Sequence, residues 1–169
     1  MRRQLSRLLA GVLALTVCAC DVAPDTQEAQ VPSTPEGQAL LSDVSGAWRL
    51  VGTTTDDCPP EASVPFPLGD TRWTDEGDSL VISGLGAQDV TLELWPVDGS
   101  TLTREISVSW AGCEATQSHT LQIDTLTGSS MSGFFSSVTE VAEDDPCAAQ
   151  ARDAGLPCES LVTWSGLRI

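Results

Sequence analysis

Few residues in this chain can do chemistry: there are six cysteines and a single histidine, His119, in 169 residues. Cys18 and Cys20 stand near the N-terminus, and Cys58, Cys113, Cys147 and Cys158 are spread over the remainder. No two of these four form a Cys-x-x-Cys pair, so a closed zinc site would have to be assembled from distant thiolates. In an oxidising compartment the expected use of four spaced cysteines is two disulfides, for which three pairings exist. Cys147–Cys158 closes the shortest loop and is worth roughly 3 kcal/mol by loop entropy. That choice leaves Cys58 to Cys113 by elimination.

Catalytic arrangements are absent from the pattern. There is no Gly-x-Ser-x-Gly elbow, and no serine or aspartate stands at a spacing that marks a triad with His119. Carboxylates are so frequent, 24 against 8 bases, that no pair is distinguished. Asp56, Asp57, Glu61, Glu114, Glu143, Asp144 and Asp145 fall near the cysteines in the expected topology. Calcium needs six to eight oxygens, of which loops 55–61 and 143–145 offer part, although EF-hand spacing is missing. The residues point to binding rather than catalysis, and they imply no cofactor or resident metal.

The elements that carry these residues read as strands. From Val44 onward, short alternating runs are separated by turn residues, which predicts eight strands at 47–54, 71–75, 78–84, 89–95, 101–110, 114–125, 129–140 and 160–168. Leu92 and Leu94 oppose Thr91 and Glu93. Leu102, Ile106 and Val108 oppose Thr103, Glu105 and Ser107. One apolar and one wet face is the signature of an antiparallel sheet covering a core. His119 shares the apolar face with Leu121 and Ile123, and Arg104 falls among Leu102, Ile106 and Val108. Two polar groups on an inward face need partners. They are the candidate ligand-binding residues, for a small apolar or cationic ligand beneath an acidic mouth. The alternative is a solid domain whose rim loops recognise an envelope or secreted protein. Small residues on the seventh strand (Ser130, Ser132, Gly133, Ser136) mean either a cavity or close strand approach.

Consecutive hairpins favour an all-β, eight-stranded antiparallel up-and-down barrel, with a β-sandwich as the alternative. Alternate loops of a meander lie at the same end, so all four later cysteines should gather at one mouth. Between Cys147 and Cys158, Ala148 to Ala154 can form about two helical turns, with Gly155 as the stop and Pro157 beyond.

The N-terminus reads as an address. Arg2, Arg3 and Arg7 precede an apolar run from Leu8 to Val17, too short for a spanning helix of about 20 residues. Val17-Cys18-Ala19-Cys20 resembles the lipobox of bacterial lipoproteins, which implies a signal peptide over 1–19, lipidation of Cys20 and anchoring to a membrane on an extracytoplasmic side. Residues 20–43, interrupted by Pro24, Pro32 and Pro35, read as a lipidated cysteine followed by a disordered acidic linker. The folded domain is then 44–169. Behind the signal segment five arginines face 24 acids, a balance that excludes nucleic acid as a partner.

Gly46-Ala47-Trp48 opens the first strand and Arg168 lies in the last. This resembles the calycin group of β-barrels, to which lipocalins and avidin-like proteins belong. The resemblance implies that Gly46 and Trp48 begin strand one and that Arg168 packs over the indole, a cation-on-ring contact that closes one barrel end.

Overall fold

The computed structural model describes residues 34–60, 62–85, 90–110 and 112–169. Cys20, the signal segment and the first part of the linker lie outside the described residues, as does Glu61.

Eight strands follow one another around a closed antiparallel barrel: β1 (Gly46–Asp56), β2 (Gly69–Asp75), β3 (Leu80–Gly84), β4 (Thr91–Pro96), β5 (Thr101–Trp110), β6 (Cys113–Leu126), β7 (Ser130–Glu140) and β8 (Cys158–Arg168). Each strand pairs with its neighbour in sequence, and β1 pairs with β8 from Trp48↔Arg168 to Asp56↔Ser160. That last pairing closes the barrel and excludes the two-sheet sandwich.

Side-chain alternation decides the inside. On β6, Cys113, Ala115, Gln117, His119, Leu121 and Ile123 are buried and their neighbours are not. On β7 the inward set is Met131, Gly133, Phe135, Ser137 and Thr139, so Phe135 points in while Phe134 does not. Ser130, Ser132 and Ser136 face outward. A Cβ at Gly133 would run into the Gln122 carbonyl, beside the register shift between Ile123 and Thr125. Gly133 therefore serves close strand approach.

The linker expectation needs correction. Residues Pro35–Val44 form a helix, α1, that closes the lower end of the barrel. Pro35 starts it rather than breaking it, because the first helical turn needs no N–H from that position. Thr34 caps it, its hydroxyl accepting from Gly37 N–H at 3.1 Å. Leu40, Leu41 and Val44 are buried against the barrel, so the folded unit includes this helix and does not start at residue 44. The Trp48 indole N–H donates to the Val44 carbonyl at 2.7 Å. Arg168 lies over that indole, 4.5 Å from its centroid, and donates to the Asp43 carbonyl at 2.8 Å. Gly46 has φ +143°, a backbone conformation that favours glycine, and lies beside the Arg168 guanidinium. Gly46, Trp48 and Arg168 thus form one structural unit at this end.

The upper end is built by the loop 57–68, the β5–β6 turn and a second helix, α2 (Ala148–Asp153). Gly155, at φ +96°, turns the chain after α2. All four cysteines lie here. The bonds are Cys58–Cys158 and Cys113–Cys147, not Cys147–Cys158 with Cys58–Cys113. The β1–β8 ladder continues past Asp56↔Ser160 and sets Cys58 opposite Cys158. Barrel closure had already brought these two together, so the shorter loop held no advantage.

Candidate functional site

The barrel interior is layered. The lower and middle parts hold a dry core that includes Trp48, Leu50, Trp73, Leu94, Leu121, Phe135 and Trp164. A smaller apolar cluster around Ala62, Trp110, Ala115, Ala151 and Leu156 lies under the upper loops. Between the two lies a belt of buried polar side chains: Gln117, His119, Ser137, Thr139 and Ser160.

Register places one row of this belt across four strands. Arg104 on β5 is opposite His119 on β6, His119 is opposite Ser137 on β7, and Ser137 is opposite Ser160 on β8. His119, Ser137 and Ser160 point inward, and half-buried Arg104 carries its guanidinium 5.7 Å from the Trp95 ring centroid. His119 is 3% exposed and Ser137 1%. Neither ring nitrogen of His119 nor the Ser137 hydroxyl has a hydrogen-bond partner among the described residues. The two therefore do not bond each other, and the geometry holds no Ser–His dyad. Trp164 Nε1 is likewise buried without a partner.

Burial pulls the His119 imidazole down to about 4, and the positive charge of Arg104 pushes the same way. At neutral pH the ring is therefore uncharged, with one N–H to donate and one lone pair to accept. The same charge from Arg104 disfavours a cation at this place.

A roof covers the row. Gln117 Nε2 donates to Thr139 Oγ1 at 3.0 Å and to the Ala62 carbonyl at 3.2 Å, and Thr139 Oγ1 donates to the same carbonyl at 3.2 Å. These bonds and the Cys58–Cys158 bridge hold the start of loop 57–68. Farther along, Phe66 stacks on Phe135 at 4.9 Å and on Trp164 at 6.0 Å. Phe135 in turn lies 5.8 Å from the His119 ring. Pro65 and Pro67, on either side of Phe66 in the chain, bring no N–H of their own.

Of the residues singled out from sequence, His119 and Arg104 are brought side by side. The acidic residues at the upper end are not brought together. Asp56 accepts from Cys58 N–H at 3.0 Å and from the Ser63 hydroxyl. Asp57 accepts from Glu159 N–H and Asp145 from Cys147 N–H, both at 2.7 Å. Asp56 and Asp145 cap turns and Asp57 bonds across to β8; among the described residues no three metal-ligating side chains converge. Ser137 escaped the sequence reading, although inward Phe135 two residues earlier on the same strand implied its direction. Nothing local could have shown that Phe66, in a proline-rich loop, would reach the core.

A separate shallow groove of about 390 Å³ lies at the β5–β6 turn, lined by Ser107, Val108, Ser109, Gly112, Cys113 and Glu114. No family model matches this chain, and neither a curated protein nor a solved structure is similar to it.

Proposed function

We propose that this protein is a lipoprotein of the bacterial cell envelope, anchored to a membrane through Cys20 and facing an extracytoplasmic compartment, whose barrel binds a small hydrogen-bonding ligand at His119 and Ser137. One observation carries the binding reading: three buried polar atoms, two on His119 and one on Ser137, face the barrel interior with no partner among the described residues. A buried polar group left without a partner costs about 1–3 kcal/mol, so a molecule that satisfies several of them at once gains that much per contact. Phe66 and Phe135 stack on each other beside the His119 ring, which limits a ligand to a few heavy atoms. Arg104 and the neutral imidazole favour an uncharged polar or anionic group. The lipobox-like Val17-Cys18-Ala19-Cys20 supports the anchor.

The test is native mass spectrometry of the mature protein purified from its host, before and after unfolding. A small-molecule increment that is lost on unfolding, and missing from His119→Leu, is the expected result. A bare mass in every preparation refutes the ligand. It would favour the second reading, a solid barrel that recognises another envelope protein. The observation behind that reading is closure of both ends by the chain itself, α1 below and the Phe66 loop above. For the anchor, the mature protein should carry acyl chains and partition with membranes, and Cys20→Ser should abolish both.

A further inference from the structure

The strands of the barrel are unequal, and this leaves backbone without a neighbour. β4 pairs with β5 only at Trp95↔Thr103 and Pro96↔Leu102, whereas β5 pairs with β6 along its whole length. From Arg104 to Trp110, β5 is therefore the edge of an open sheet formed by β5, β6, β7, β8 and β1. The Ile123 N–H donates to the Ser100 carbonyl at 2.8 Å, which sets the phase of the β5–β6 ladder. Even-numbered β5 residues turn their backbone groups toward β6, and Glu105, Ser107 and Ser109 turn theirs the other way. Among the described residues nothing bonds to these groups.

Natural sheets commonly blunt such an edge with proline, lysine or a bulge. The segment Glu105-Ile106-Ser107-Val108-Ser109 has none of these. Ser107, Val108 and Ser109 instead border the groove of about 390 Å³. β1 leaves a comparable stretch beyond Leu50, but Gly52 interrupts it.

We propose that Glu105–Ser109 is a docking edge for an extended, basic segment of a partner protein, which adds to the open sheet as one more strand. Charge chooses the occupant. Glu105 lies on the edge and Glu114 lines the groove, and the chain carries 24 acids against 8 bases. A second copy of this chain is repelled, and so is its own N-terminal segment with Asp21, Asp25 and Glu28. A lysine or arginine set opposite Glu105 would form a favourable cross-strand pair. Backbone bonds would supply affinity, and half-buried Ile106 and Val108 would select alternate apolar side chains. This proposal is independent of whether the barrel holds a ligand.

The probe is a capped seven-residue peptide of alternating lysine and valine, titrated into the full-length protein. A control peptide of equal charge has its central residue replaced by proline. The control should bind about tenfold more weakly, because it loses ladder hydrogen bonds and keeps its charge. Ser107→Pro should weaken the first peptide similarly, since it removes an N–H that faces the open edge and leaves the β5–β6 ladder intact. Hydrogen exchange on the unmodified protein avoids any folding defect of the variant: the Ser107 and Ser109 amides should gain protection when the peptide binds. Equal binding of both peptides would reduce the interaction to charge attraction and overturn the proposal. Protection elsewhere would do the same, as would a peptide-free dimer that protects these amides.

Discussion

Lowering the pH should destabilise this protein through His119 in a way one substitution can isolate. The folded-state value of about 4 lies below the roughly 6.5 of an unfolded histidine. Between these values the unfolded chain binds a proton that the folded chain refuses, so stability falls as pH falls. The contribution is complete above about pH 6.5 and fades through the interval down to about 4. Linkage gives a loss of roughly 1 kcal/mol at pH 5.5, growing to roughly 3 kcal/mol as the pH approaches 4. The imidazole is buried among the barrel's inward side chains. Carboxylates titrate over part of the same range, but they do so equally in His119→Leu. Urea unfolding of both proteins, followed by tryptophan fluorescence without reductant, should show the stability difference moving by roughly 2–3 kcal/mol in favour of the variant between pH 7.5 and 4.5. Parallel curves would refute the reasoning: they would mean that His119 takes up its proton while folded and that the belt is open to water.

Three further outcomes are expected. Non-reducing digestion should yield fragments linked as Cys58–Cys158 and Cys113–Cys147; replacing Cys58 and Cys158 together by serine should cost about 4–5 kcal/mol, for a sequence separation of 100. Arg168→Ala should lower stability by about 1–2 kcal/mol in denaturant unfolding, as the ring contact with Trp48 and the bond to the Asp43 carbonyl are both lost. Leu41→Ala, at a fully buried site on α1, should cost about 2–5 kcal/mol, whereas a residue in a disordered linker would cost nothing.

The eight strands were legible because a half-buried strand writes its two faces into the sequence every second residue. The same alternation turned His119 inward, and a meander with alternating ends is enough to gather Cys58, Cys113, Cys147 and Cys158 at one mouth. The helix over Pro35–Val44 was not legible, because a proline that forbids a helix interior is welcome in its first turn. Only the position of the barrel floor shows that Leu40, Leu41 and Val44 have something to cover. The disulfide partners depended on the β1–β8 ladder, a contact between strands at the two ends of the domain, about which local periodicity carries no information. The same holds for Phe66 above Phe135 and for Ser137 across from His119. Periodicity reports which way a side chain points; what it meets there depends on how strands distant in the chain are set side by side, and that is decided when the barrel closes.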